Sequence, residues 1–449
     1  MSSLPQPEVI SLGCRLNIAE SETIQRMLDG RDVVVINSCA VTNSAVKQTR
    51  TAIRRARRAR PGAMLAVTGC AAQIDPASFA AMPEVDRVIG NGEKLLPEAW
   101  ASSASLIVGD MARVTEIAPH LAIAVDQARA FVEVQNGCDH RCTFCAIPFG
   151  RGPSRSAPAG AVIEAIERVV AAGKNEVVLT GVDLTSYGHD LPGSPTLGSL
   201  VERILTRVPA LRRLRLSSID AAEIDDRLFE LLTQEARVMP HLHLSLQAGD
   251  DMILKRMKRR HSRADAVRLV ERLKTARSDI AIGADLIAGF PTEDEPMAAN
   301  SLALIDDCDI VHAHIFPYSP RAGTPAARMP QVELEVRRER AARLREAAAK
   351  RKARWLDSLI GTTQQVLVEA PGNRGHGASF AEFALDGDHP VGSIVPIIVN
   401  SANIRHLRES GDPTPAVSTR GAGRVFRGDD EQAEDEEAEV AEREMAVTA

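Results

Sequence analysis

Cys138, Cys142 and Cys145 stand in the run Gly137-Cys138-Asp139-His140-Arg141-Cys142-Thr143-Phe144-Cys145, a C-x3-C-x2-C spacing. Three thiolates so placed can hold three irons of a cubane iron-sulfur cluster and leave the fourth iron open to a small molecule. A zinc site asks for four ligands, usually from paired C-x2-C units or one such unit with two histidines, and His140 is too close in sequence to complete that set. Buried structural cysteines are the plain alternative, but nothing in a core requires this spacing.

Cys14, Cys39 and Cys70 each close a short apolar run: Val9-Ile10-Ser11-Leu12-Gly13-Cys14, Val33-Val34-Val35-Ile36-Asn37-Ser38-Cys39 and Leu65-Ala66-Val67-Thr68-Gly69-Cys70. Such runs read as buried parallel strands, and the helical stretches between them make βαβ units of roughly 30 residues. Repeated units point their strands the same way, so their C-terminal ends share the edge where open α/β sheets bind ligands. The three thiols are expected to meet there as a second cluster site, with unrelated buried cysteines as the alternative. Cys308, in Asp306-Asp307-Cys308-Asp309, has no partner pattern and reads as structural.

The elements that position the C-x3-C-x2-C loop form a strand-helix alternation. Strands are expected at 131–134, 176–180, 214–217, 241–246, 280–287 and 310–316, with helical stretches such as 161–172 and 263–276 between them. Six repeats fit a partial (β/α)6 barrel, a shortened relative of the eightfold one. Polar or glycine-rich residues follow the strands: Gly181-Val182-Asp183, Ser217-Ser218-Ile219-Asp220, Gln247-Ala248-Gly249-Asp250 and Ala288-Gly289-Phe290-Pro291. Barrel chemistry collects at that face, into which the cysteine loop with Phe144 also opens; capping of the next helix is the competing use of each. Beyond residue 356 the pattern changes to short alternating runs at 363–368, 379–385 and 392–399, as in a small β-barrel of the size that often binds oligonucleotides. Its main cationic candidates are Arg374, His376, Arg405 and His406. The expected fold class is therefore α/β: an N-terminal open α/β domain over 1–125, a partial (β/α)6 barrel over 126–357, a small C-terminal β-barrel over 358–408 and a tail over 409–449.

The chain has 449 residues, enough for two or three domains with substantial cores. It shows no N-terminal signal stretch and no apolar run of bilayer length, so a cytoplasmic protein without a membrane partner is expected. Seven cysteines in such a chain argue for metal or redox chemistry over disulfides. Residues 429–444 (DDEQAEDEEAEVAERE) carry ten acids against Arg443 and read as a solvated, disordered tail. Setting aside its charge of −9 leaves the remainder near +3, against a total of −6. The basic residues cluster in three places. Arg50, Arg54, Arg55, Arg57, Arg58 and Arg60 share one helix; Arg337, Arg338, Arg340, Arg343, Arg345, Lys350, Arg351, Lys352 and Arg354 share a long one. Lys255, Arg256, Lys258, Arg259, Arg260 and Arg263 follow a strand end, where a phosphate or carboxylate of substrate or cofactor could be met. Such runs can neutralise nucleic-acid phosphates, with solvated helix faces as the equal alternative.

The C-x3-C-x2-C loop resembles that of radical S-adenosylmethionine (SAM) enzymes, and residues 7 to 407 together resemble the methylthiotransferase family. Gly13-Cys14-Arg15-Leu16-Asn17 with Glu20-Ser21-Glu22, and Asn37-Ser38-Cys39-Ala40-Val41-Thr42, look like the branch acting on threonylcarbamoyladenosine at tRNA position 37. The isopentenyladenosine branch usually has Gln-Met-Asn after its first cysteine and the ribosomal-protein branch Lys-Asn; neither is present. The resemblance implies a radical SAM barrel and a terminal TRAM β-barrel. It also implies two 4Fe-4S clusters, an auxiliary one on Cys14, Cys39 and Cys70 and a SAM-cleaving one on Cys138, Cys142 and Cys145. SAM would be cleaved to a deoxyadenosyl radical, a reagent no side chain supplies. Phe144, Asp183, Ser217 and Gln247 are the candidate SAM contacts, and Arg54, Arg57, Arg58, Arg259 and Arg374 the candidate RNA contacts. The implied partners are the tRNA anticodon stem-loop, whose splayed bases are accessible to proteins, and an electron donor of flavodoxin-like type.

Two further classes stand beside this one. A ribosomal-protein aspartate as acceptor is opposed by Arg15-Leu16-Asn17, and a noncatalytic cluster-bearing RNA-binding protein by the complete Cys138, Cys142, Cys145 loop. The acidic tail and the modest charge of the terminal barrel depart from the family's usual pattern.

Overall fold

The structure, a computed structural model, describes residues 6–117, 122–125 and 127–404. The acidic run at 429–444, Arg405 and His406 lie outside the described residues.

Apolar runs with little polar relief become strands covered on both faces. β1 (Glu8–Ser11), β2 (Val33–Ser38), β3 (Met64–Gly69), β4 (Arg87–Ile89) and β5 (Leu106–Ile107) form one parallel sheet in sequence order. β1 stops short of Cys14 because Gly13 turns the chain at φ +101°, where a Cβ would stand 2.8 Å from Cys39 Cβ. Only glycine gives that turn without strain, and it leaves Cys14 at the cap of the helix Arg15–Met27.

β6 (Ile123–Ala124) pairs antiparallel with β7 (Ala130–Glu133), the first barrel strand. β8 (Gln135–Asn136) and β9 (Arg155–Ser156) clamp the two ends of the cysteine loop. β10 (Glu176–Thr180) and β11 (Arg213–Leu216) continue the sheet from β7; β12 (His241–Gln247), β13 (Ala281–Ala288) and β14 (Ile310–Pro317) form the rest, all parallel. Parallel bridges Leu214 to Val238 and Ile219 to Leu244 join the halves, giving the six-stranded open barrel the sequence predicts.

Period-two alternation sorts the barrel's faces. Leu214, Leu216, Leu242, Leu244, Leu246, Ile282 and Leu286 pack outward with the helices, and buried Cys308 joins that core. The alternate residues of these strands, Arg213, Arg215, His241, His243 and Asp285, turn into the lumen with His312 and His314 of β14. There the His241 and His312 rings lie 5.1 Å apart and those of His243 and His314 4.5 Å apart. On the other half, Phe131 of β7 and Val178 of β10 pack against Ala19 and Ile24, so the helix Arg15–Met27 covers that half.

The 25-residue helix Leu334–Ser358 leads to β15 (Thr363–Glu369), β16 (Arg374–His376), β17 (Glu382–Ala384) and β18 (Ile394–Ile398), an antiparallel sheet ordered β17-β16-β15-β18. The sequence pattern predicts strand over 379–385, but only Glu382–Ala384 is strand. Residues 377–381 make the turn between β16 and β17, with Phe380 at φ +67°. That turn forms the floor of the lumen: Arg215 donates to Ala378 O at 2.8 Å and Gly377 O at 2.7 Å, and Arg213 to Gln365 O at 2.7 Å. No helix among the described residues is long and apolar enough to cross a membrane.

Glu176, wholly buried, holds this floor together by accepting from Arg129 at 2.9 Å and Arg215 at 2.8 Å, with Arg213 at 3.5 Å. Arg129 also pairs with Glu369 of the terminal sheet. Burial by itself would raise the Glu176 carboxyl, but Arg215 and Arg129 hold it at about 2 against an ordinary 4.5. Its folded-state value is depressed, so its contribution is complete above pH 4.5 and is lost as pH falls towards 2. Removing one partner of such a buried group costs about 3–5 kcal/mol. Glu176→Gln is expected to lose that much in urea unfolding at neutral pH and to show a shallower decline on acidification. An unchanged midpoint would mean that the arginines find other partners.

Candidate functional site: two facing thiol groups above a cationic lumen

All seven cysteines are free. Cys14, Cys39 and Cys70 follow β1, β2 and β3 at one sheet edge, near enough that Cys70 opposes ionisation of Cys14 and Cys39. Burial raises the Cys14 thiol and, with Cys70 beside it, lifts Cys39 to about 12. Cys138 is likewise raised by burial and by Asp183, and Cys145 by burial to about 11. Thiols raised in this way release their protons when a metal cation binds them, and with none of the six paired in a disulfide the triplets suit iron ligation. Cys70 also opposes ionisation of Cys145, and the segment that follows Cys145 comes up against Cys70. The short helix Ile147–Arg151 makes that approach, and a Cβ on Gly150 would lie 3.2 Å from Cys70 Cβ.

The polar residues beside the first triplet are mostly consumed in holding its edge. Asn17 Nδ2 donates to Leu12 O at 2.6 Å and Ser38 O at 3.1 Å; Asn37 Nδ2 donates to Asn17 O at 3.1 Å and Ser21 Oγ at 3.0 Å. Ser38 Oγ donates to Thr68 O at 2.5 Å, and Glu22 accepts from Val125 N at 2.7 Å. Glu20 accepts from Arg151 at 2.9 and 3.0 Å and from Lys94 at 2.6 Å, all three side chains being buried. Arg15 is different: it has no hydrogen bond or ion pair among the described residues, and its guanidinium lies 5.5 Å from the Phe380 ring centre. Burial, then Arg129 and Arg215 nearby, lower it to about 10.

The second triplet is held from below. Gly137, at φ +72°, passes so close to Pro153 that a Cβ would lie 1.8 Å from its carbonyl oxygen. Gln135 donates to Gly137 O at 2.8 Å and accepts from Asp183 N at 2.8 Å. Arg259 Nη1 lies 3.7 Å from Cys142 Sγ.

The candidate SAM contacts share this end of the barrel but differ in freedom. Phe144 meets Phe290 edge-on at 6.3 Å. Asp183 is engaged by His140 at 2.9 Å and Ser186 at 2.7 Å, and the hydrogen bonds from Asp183 and then Glu223 raise His140 to about 10. Gln247 ends β12 at φ +70°, and the buried Ser217 hydroxyl has no hydrogen-bond partner. An orphaned hydroxyl at the lumen mouth fits a polar ligand that supplies the missing bond.

The candidate RNA contacts do not form one patch. Arg54 and Arg58 are exposed on the helix Asn43–Ala59. Arg57, on the same helix, binds Glu84 O, Ala63 O and Asp86. Arg259 binds Asp220 and Ser245 O at 2.7 Å and is buried beside the second triplet. Arg374 is half exposed on the terminal sheet, 3.8 Å from Glu382. On the long helix, Arg340, Arg343, Arg351 and Arg354 pair with Glu293, Glu295, Asp309 and Asp306. Sequence reasoning missed the lumen set, whose signal was the alternation His241-Leu242-His243-Leu244 on a barrel strand.

Residues 132–305 match the Radical SAM superfamily and residues 7–90 the Uncharacterized protein family UPF0004. The chain is 49% identical to a threonylcarbamoyladenosine tRNA methylthiotransferase MtaB from Rickettsia prowazekii, covering 86% of this chain and 93% of that one. It is 38% identical to the protein of that name from Bacillus subtilis, over 74% of this chain and 78% of that one. A tRNA-2-methylthio-N(6)-dimethylallyladenosine synthase from Erythrobacter litoralis is 32% identical over 87% of this chain and 93% of its own length. Similarity at this level over nearly the whole of the Rickettsia protein, together with the two matched families, makes this chain a member of the MtaB family of radical SAM tRNA methylthiotransferases.

Proposed function

We propose that the chain places a methylthio group on C2 of N6-threonylcarbamoyladenosine at position 37 of tRNA. The observation that carries this reading is the approach of Gly150, in the short helix just after Cys145, to Cys70, which brings the two thiol triplets into one neighbourhood. Cys14, Cys39 and Cys70 hold an auxiliary 4Fe-4S cluster, and Cys138, Cys142 and Cys145 hold the one that binds SAM. When bound, these groups supply a radical able to attack an unactivated C–H bond and the sulfur that replaces the hydrogen.

The chain's own residues position and enclose. Gln135 and Asp183 fix the second cysteine loop, and Arg259 places a cation beside Cys142. Ser217 and Gln247 face the SAM site with Phe144 as its apolar wall, while Asp183, already engaged, acts through the loop. Arg151 and Lys94 set a net positive charge against Glu20 beside the auxiliary triplet, favouring an electron-rich cluster there. Arg54, Arg58 and Arg374 are the available RNA contacts, whereas Arg57 and Arg259 serve the fold and the site. The partner reading is a tRNA anticodon stem-loop and a flavodoxin-like electron donor in the cytoplasm. The domains span 1–125, 126–357 and 358–408, with 409–449 as a tail.

Anaerobic reconstitution is expected to give about eight irons per chain, four per cubane. Replacing Cys138, Cys142 and Cys145 with Ala leaves about half the iron and ends SAM cleavage. Replacing Cys14, Cys39 and Cys70 instead leaves reductive SAM cleavage in place and stops thiolation. Equal iron in all three proteins would refute the ligand assignment.

Nucleoside mass spectrometry tests the substrate. The product is expected on tRNA carrying threonylcarbamoyladenosine and in little amount on the same tRNA without that group. Comparable turnover of isopentenyladenosine would move the chain to the branch of its 32% relative. Modification of a ribosomal-protein aspartate in place of tRNA would overturn the RNA reading.

A further inference from the structure

We propose that Arg15 is the receptor for a carboxylate on the modified base, the feature by which the lumen selects its substrate. The proposal rests on the threonylcarbamoyl reading above, since that group ends in a carboxylate. It deepens that reading by assigning a residue to the selection.

Three observations lead there. Among the described residues Arg15 makes no hydrogen bond and no ion pair, although Asn17, Glu20, Ser21 and Glu22 beside it are all tied into the sheet edge. Its guanidinium is directed into the barrel, towards the Phe380 ring on the floor. The charge around that ring does not balance. Arg15, Arg129 and Arg215 stand 5.5, 5.3 and 5.1 Å from its centre, with Arg213 one alternation below, while the carboxylates among them are Glu176 and Glu369. Arg129, Arg213 and Arg215 are occupied by those carboxylates, which leaves Arg15, among the described residues at this ring, without a counter-ion.

A half-buried guanidinium without a counter-ion is costly until an anion meets it, and its planar fork suits a carboxylate. Position supports the match. Arg15 follows Cys14 directly, so the receptor lies one side chain away from the triplet proposed to deliver sulfur. Phe380 contributes the platform: a bulky side chain at φ +67° is held in a conformation such residues avoid, and its ring faces stack with His376 at 4.4 Å and His241 at 5.0 Å. The ligand class is a carboxylate carried on the base itself.

The test compares two synthetic anticodon stem-loops, identical except that one bears the threonylcarbamoyl carboxylate and the other its neutral carboxamide. Dissociation constants and initial rates are measured with the cluster-loaded full chain. Wild type is expected to prefer the carboxylate by about 10- to 100-fold, the range for a charge-assisted hydrogen-bonded pair. Arg15→Gln should bring that ratio close to one, and Arg15→Lys should keep part of it. The ratio is read within one preparation, so loss of folding or of iron lowers both substrates and leaves it unmoved. An Arg15→Gln protein that keeps the wild-type ratio overturns the proposal, as does a wild type that binds and turns over both stem-loops equally. A wild type inactive on the carboxylate stem-loop but active on an isopentenyl one overturns the substrate reading itself, and the receptor with it.

Discussion

The buried pair between Glu20 and Arg151 is the constraint on which the site depends. Glu20 lies on the helix that begins at Cys14, and Arg151 ends the short helix that follows Cys145. A bidentate bond between them therefore fixes one thiol triplet relative to the other. Burying such a pair costs desolvation that its attraction only partly recovers, so its worth is better sought in geometry than in stability. Lys94 and Asn17 complete the set and leave neither charge to face apolar surroundings alone.

With that pair in place, the helix Arg15–Met27 becomes part of the barrel. An open six-stranded barrel exposes the inner faces of its first strands, and here Ala19 and Ile24 cover Phe131 and Val178. The remaining inner positions include Glu176, Arg213, Arg215, His241 and His243, polar side chains where a closed eightfold barrel packs aliphatics.

The terminal sheet takes part in the same space. Its turn at 377–381 closes the lumen from below, and Arg129 and Arg215 bond both to the barrel and to that sheet. Its cations are few, and the best placed, Arg374, is shared with Glu382. In this chain the sheet thus shapes the lumen, while its own surface carries few free cations.

Spacing along the chain was enough to find the two cysteine triplets, because iron ligation needs thiols at fixed intervals and βαβ repeats bring strand ends to one edge. The same alternation of strands and helices gave the six barrel strands to within a few residues, since each apolar run can be buried in only one way. Spacing could not tell which charged residues are free. Arg57 and Arg58 are adjacent in sequence, yet one is bonded into the fold and the other is exposed. Arg15 sits among motif residues of equal polarity, and only packing separates the residue left unpaired from those bonded into the scaffold. The run at 379–385 has strand composition, but docking of Phe380 among His241, His376 and three arginines makes its first half a turn. Local pattern sets which elements form. Which side chains remain to meet a ligand depends on contacts between residues far apart in the chain, where desolvation and pairing are settled.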